Sequence, residues 1–197
     1  QCAVSMALVL GIVAPNENIR AQMVKVLEQY DYRFHIGMLG MQYLFPALDL
    51  LGMHEEAVRL LTAKGYPSYR EWFDGGATTM YERWHDDESR NHHMYSCPVA
   101  WLHNTLLGIR QDVSLYTKHE ITLTPCMIGA LTHAEGEYMT DAGKFAVAWR
   151  RNGETVTLDV TIPAGITATI TPRLAHFADG ASVTVMGGRH SFTLIAE

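Results

Sequence analysis

The hydrophobic period of this chain changes once, near residue 110, and no fold built from one kind of element satisfies both halves. Before that point apolar residues recur every three or four positions. Ala3, Met6, Ala7, Leu10 and Val13 form one such run, and Ile19, Met23, Val26 and Leu27 form the next. That spacing marks one face of a helix. Pro15 and Asn16 separate the two runs, and Asn16 and Asn18 are both candidate caps for the second. Gly37 and Gly40 mark a loop before a helix from Gln42 to Leu51, with Pro46 expected to kink it or sit near its first turn. Shorter helices are expected over His54–Lys64 and Ser96–Gly108.

Beyond Arg110 apolar and polar residues alternate. Ile121 to Thr124, Phe145 to Trp149, Val156 to Ile162, Ala168 to Thr171 and Phe192 to Ile195 read as strands. Asn152-Gly153, Ala164-Gly165, Asp179-Gly180 and Gly187-Gly188 are expected as the turns between them. Several short strands at this spacing predict an antiparallel β-sandwich. The chain is thus multidomain, α then β, with the boundary expected at 110–115 and the domains written as 1–112 and 113–197.

One stretch of the helical half carries chemistry. Gly75-Gly76-Ala77-Thr78-Thr79-Met80-Tyr81-Glu82-Arg83-Trp84 is followed closely by Asn91-His92-His93. Two glycines permit a tight turn or a close approach. A single carboxylate then stands between an aromatic residue and an Arg-Trp pair. Aromatic faces pack on the apolar C–H side of a pyranose, and a carboxylate handles protons at the bond being broken. Two readings follow from the residues alone: a surface glutamate paired with Arg83, or a sugar-cleaving site.

The segment G-A-T-T-M-Y-E-R-W, with the following N-H and a helix ending L-L-G-I, resembles the late catalytic region of α-L-rhamnosidases of glycoside hydrolase family 78. Gln1 to Val13, Ile36 to Leu44 and Tyr66-Pro67-Ser68-Tyr69 resemble successive stretches of the same domain, so nearly the whole chain is covered. The resemblance implies a partial (α/α)6 barrel followed by the sandwich. It implies an inverting hydrolase releasing terminal α-L-rhamnose, with Glu82 as general base, Trp84 in the sugar platform and His92 touching the bound sugar; Tyr81, which flanks the carboxylate, is a further sugar-binding candidate on its aromatic chemistry. Two departures stand out: only His85 to Arg90 separate the glutamate motif from the Asn-His, where the family has a longer insertion, and Ser96-Cys97-Pro98 replaces a small-residue pair. The family's general acid lies far upstream, and nothing in this chain occupies its place. The chain is therefore expected to be the C-terminal part of a longer enzyme, inactive alone, with the missing N-terminal part as partner and a rhamnose-containing carbohydrate as substrate. Two alternatives remain open: another six-hairpin glycosidase, and a non-catalytic sugar-binding or structural piece.

Other constellations are weaker. Trp72 and Tyr69 lie close enough to the glycine turn to help line a sugar pocket, while Trp101 and Trp149 are packing residues. His85-Asp86-Asp87-Glu88 with His92 and His93 offers metal-ligand types, but neither an H-E-x-x-H nor a calcium-loop spacing. No metal and no cofactor are expected. A net charge of −6 without a Lys/Arg cluster argues against nucleic acid. The apolar run from Ala3 to Ala14 is too short to span a bilayer, so no membrane partner is expected. Cys2, Cys97 and Cys126 are odd in number and scattered, which suits buried thiols better than disulfides.

Overall fold

The computed structural model describes residues 1–85, 88–110 and 119–197. It divides into two compact units, Gln1–Ala100 and Trp101–Glu197. The first is helical and the second is a β-structure, the order that the change of period demands. The boundary expected at 112/113 lies outside the described residues.

In the helical unit, α1 (Cys2–Val9), α2 (Glu17–Gln29), α3 (Met38–Leu50), α4 (His54–Thr62) and α5 (Tyr69–Asp74) follow one another. α1 is shorter than the apolar run predicts. Gly11 takes φ +70°, and the Gly11 and Ile12 amides donate back to the Leu8 and Ala7 carbonyls at 3.0 and 2.9 Å. That paired closure is the glycine-terminated end of a helix, and it satisfies carbonyls that would otherwise be orphaned. α2 begins at a true cap: the Asn16 side chain accepts from the Ile19 amide at 3.1 Å, so Asn16, not Asn18, opens the helix.

α3 is the core helix of this unit, burying Gly40, Met41, Leu44, Phe45, Ala47 and Leu48. The sequence reading placed Gly40 in a loop. It lies inside α3, because a Cβ there would come within 2.6 Å of Cys2 Sγ and 2.7 Å of Ile36. The missing side chain lets α1 pack closely on α3. Pro46 also lies inside α3 and is exposed. His54 Nε2 meets Asp49 Oδ1 at 3.0 Å, tying the start of α4 to the end of α3. α5 is capped by Ser68, which accepts from the Glu71 amide at 3.1 Å.

The second unit opens with a π-helical turn, Leu102–Leu106, within the segment expected as a plain helix. Its strands are β1 (Glu120–Leu123), β2 (His133–Thr140), β3 (Gly143–Asn152), β4 (Thr155–Ile170), β5 (Ala175–His176) and β6 (Val183–Ala196). The sheet order is β2-β3-β4-β6-β5, antiparallel along that path, with β1 joined in parallel to the far half of β4. Trp149 stands opposite Leu158 and Val147 opposite Val160, so alternate residues fill one buried face. The Trp149 indole donates to the Leu106 carbonyl at 3.1 Å.

Two of the expected turns are not turns. Ala164-Gly165 and Gly187-Gly188 face each other across a register break between Ile162 and Thr167, inside two long strands. Val156, Leu158, Val160, Ile162, Ile166, Ala168 and Ile170 are all buried, so β4 keeps its inward face through the break. β3 pairs with β4 before the break and β1 after it. One pair of strands thereby serves both parts of the sandwich, as bulged strands commonly do. The glycine is required by contact: a Cβ on Gly187 would lie 2.4 Å from the Pro163 carbonyl oxygen and 2.8 Å from Ala164 Cα. Both are backbone atoms and cannot turn away. Gly187→Ala should therefore destabilise the protein by about 1–3 kcal/mol, the usual cost of overpacking a tight site. Urea unfolding measures it, and an unchanged midpoint would mean that the two strands do not approach so closely.

Candidate active site

The glycine-rich motif begins where α5 ends. The Gly75 and Gly76 amides donate to Glu71 and Phe73, and Ala77 to Trp72, at 2.9–3.1 Å, which closes the helix and turns the chain outward. Residues 79–82 then run beside residues 89–92. The His92 amide donates to Met80 O and the Glu82 amide to Ser89 O, each at 2.8 Å, and the Thr79 hydroxyl donates to Arg90 O. This short two-stranded clasp brings Glu82 and His92 together although they are ten positions apart in the chain. Glu82 Oε2 lies 3.7 Å from His92 Nδ1 and also accepts from the Ser89 amide at 3.4 Å.

The clasp is held from below by rings. Trp84 stacks on Phe34 at 4.9 Å and 15°, and on Trp72 at 4.6 Å and 28°. Tyr69 and Tyr95 close on it at 5.4 and 4.7 Å. Both indoles also find acceptors at 3.1 Å: Trp84 donates to Ile36 O and Trp72 to Trp84 O. Burial of these polar tips is tolerated because each is satisfied. Tyr69 donates its hydroxyl to Tyr95 O, and burial pushes the Tyr69 phenol well above its ordinary range. Burial likewise raises Tyr95 and the Cys97 thiol.

Each residue singled out in the sequence has a definite place. Glu82 and His92 keep 27% and 31% of their side chains exposed, so the pair is accessible without being a surface pair. Arg83, the obvious partner of Glu82, turns instead to Glu88 at 3.3 Å. Tyr81 is partly exposed, with its ring 5.2 Å from Trp72 and the Arg90 guanidinium 5.8 Å above it. Trp84 is partly exposed and engaged by two stacking partners. Trp72 is buried beneath the clasp with 4% exposed, and Tyr69 is equally buried. Sequence reasoning did not single out Phe34, Tyr95 or Ser89. Phe34 and Tyr95 are aromatic residues beside recognised segments, which is the signal they carried; Ser89 acts through its backbone and carried none.

The acidic run His85 to Glu88 is described only in part, since Asp86 and Asp87 lie outside the described residues. His85 stacks on Tyr66 at 4.7 Å, and its Nε2 is 2.8 Å from the Tyr66 hydroxyl. Among the described residues no group of three or more His, Cys, Asp or Glu side chains converges as a metal site would. The three cysteines form no disulfide with one another; Cys126 is buried and the other two are half-buried. Among the described residues no helix is long and apolar enough to cross a membrane.

Comparison with known proteins places the two units separately. Residues 1–106 match the family model of the bacterial α-L-rhamnosidase six-hairpin glycosidase domain, and residues 108–179 that of the bacterial α-L-rhamnosidase C-terminal domain. An α-L-rhamnosidase of Alteromonas sp. (strain LOR) is 27% identical over 191 residues, which is 90% of this chain and 20% of that protein. One from Formosa agariphila is 29% identical over 165 residues, 78% of this chain and 18% of its own length. The chain thus spans about a fifth of the length of these curated relatives. Among solved structures, Streptomyces avermitilis α-L-rhamnosidase complexed with L-rhamnose superimposes with a TM-score of 0.82 at 24% identity, covering 98% of this chain and 21% of that one. Native α-L-rhamnosidase from Aspergillus terreus gives 0.84 at 21%, covering 96% and 23%. At these identities the likeness is one of fold.

Two outcomes follow from the ring cluster. Trp84→Phe keeps a stacked ring but loses the donor to Ile36 O, which should cost about 1–2 kcal/mol. Hydrogen exchange should speed up at the Glu82 and His92 amides, because the clasp rests on that indole; unchanged protection there would separate the clasp from the rings. Alkali should also act through Tyr69 and Tyr95. Their folded-state values are raised, so above about pH 10 the unfolded chain releases phenol protons that the folded chain keeps. The tyrosine contribution should be level below that pH and fall above it, after an earlier fall from the raised Cys97 thiol, and Tyr69→Phe should flatten the fall above about pH 10 in an unfolding series from pH 8 to 12.

Proposed function

Because the chain belongs to the bacterial α-L-rhamnosidase six-hairpin glycosidase family, we propose that it is the late catalytic portion of an inverting glycoside hydrolase that releases terminal α-L-rhamnose, with Glu82 as general base. The observation that carries the proposal is the freedom of Glu82 from its neighbouring arginine. Arg83 is held by Glu88, while the Glu82 carboxylate stays partly exposed beside His92. A base must be ionised, reachable by water and not locked in a strong ion pair.

In the proposed reaction Glu82 takes a proton from a water on one face of the sugar. The water oxygen forms a bond to the anomeric carbon as the glycosidic C–O bond breaks. A carboxylic acid on the other face protonates the leaving oxygen, and the anomeric configuration inverts. Inversion needs two carboxyl groups about 6.5–9.5 Å apart, with room for that water. The acid is assigned to a part of the protein beyond these residues. Asp74, on the same local segment as Glu82, is engaged by Arg70 at 2.7 Å. Trp84 and Tyr81, both partly exposed, supply the aromatic surface for the apolar side of the ring. Trp72 supports them from beneath, so its part in sugar binding is to hold the platform. His92 contacts a sugar hydroxyl.

The test is Glu82→Gln in the full-length protein, assayed on an aryl α-L-rhamnoside. The swap keeps shape and removes the base, so kcat should fall by about 10²–10⁴, the usual worth of general acid–base catalysis. Near-native turnover would remove Glu82 from the role.

A further inference from the structure

The two nitrogens of His92 face different surroundings. Nδ1 is buried, has no hydrogen-bond partner, and points at Glu82 Oε2 from 3.7 Å. Yet 31% of the side chain remains exposed, so the accessible surface lies on the rest of the imidazole, which carries Nε2. A buried ring nitrogen without a partner is costly, whereas one that can close on a carboxylate by under an ångström is poised. Among the described residues of the segment, Arg83 is engaged by Glu88 and Arg70 by Asp74, and the Arg90 guanidinium lies above the Tyr81 ring. The carboxylate's contact from the Ser89 amide, at 3.4 Å, is long for a charge-assisted bond.

We propose that His92 divides its work: Nδ1–H donates to Glu82 and fixes the orientation of that carboxylate, while Nε2 meets the sugar. Toward Glu82 it is thus a positioning residue, acting on catalysis through the base. The inference rests on Glu82 being the base and adds a role that sugar contact alone does not require. The backbone supports it, since the His92 amide is anchored to Met80 O and the Glu82 amide to Ser89 O, each at 2.8 Å. The ring therefore sits across the clasp from the carboxylate, with the tautomer set by whichever neighbour Nδ1 serves.

Two amide substitutions separate the nitrogens. Asn places its NH2 near the position of Nδ1, and Gln places it near Nε2. In the full-length protein, His92→Gln should lower kcat by about tenfold to hundredfold with KM nearly unchanged, the worth of one hydrogen bond to a charged group. His92→Asn should show the reverse, raising KM by about tenfold with kcat nearly unchanged. Equal losses in both variants, or the opposite split, would overturn the division. Measuring Glu82→Gln beside them keeps the two readings apart: if it stays active, the base assignment falls, and if it is dead while the His92 variants do not split, only the division falls. Should either variant fail to fold, 15N imidazole resonances of the wild-type protein decide the matter. The proposal requires the Nδ1–H tautomer in the neutral ring, and the Nε2–H tautomer sinks it.

Discussion

Everything proposed for the helical unit depends on one side chain, Trp84. Its indole stacks on Phe34 and Trp72, is approached by Tyr69 and Tyr95, and donates to the carbonyl of Ile36. It therefore ties the entry to α3, the helix α5 and the turn before Pro98 to one point. Glu82 is two residues upstream, and the clasp that places it closes over this ring. A magnitude decides which interaction holds the segment. An exposed ion pair such as Arg83–Glu88 is worth roughly 0–1 kcal/mol, whereas losing a buried aromatic ring costs about 3–5 kcal/mol. The rings set the position, and the ion pair occupies Arg83 so that it does not occupy Glu82.

The change from helical to alternating period gave the order of the two units directly, because each pattern buries a face in only one kind of element. Glycine was harder to read. A glycine in the sequence signals a turn, a close approach or a left-handed residue with equal force. Gly11 proved to be a helix terminus, Gly40 a contact between helices, and Gly187 a contact across a register break. What separates these cases is the partner group, the Cys2 side chain for one and the Pro163 backbone for another, and those partners are remote in the chain. The long strands β4 and β6 were read as shorter pieces for the same reason. Their glycine pairs look like turns until they are seen to oppose each other.

The site was legible to a different depth. Glu82 and His92 are close in sequence, on a motif with a definite resemblance, and the structure brings their side chains within 3.7 Å. Trp72 was legible as an aromatic residue near the motif, but its burial was not, because depth depends on Phe34, Tyr69 and Tyr95 arriving from other segments. Arg83 shows the opposite limit. Adjacency suggested an ion pair with Glu82, but Arg83 pairs with Glu88 at 3.3 Å instead, which sequence neighbourhood alone does not reveal.

Few residues separate Glu82 from Asn91, and the described ones among them are held by specific contacts. Glu82 and Ser89 bind each other, Arg83 and Glu88 pair, Trp84 fills the ring cluster, and His85 rests on Tyr66. A connection built this way needs little ordering entropy beyond its anchors, since loop closure becomes cheaper as the loop shortens. It also leaves little slack. A carboxylate fixed at its own amide, with its oxygen near a buried ring nitrogen, has few orientations left, and orientation is what a base contributes once its proton affinity is set.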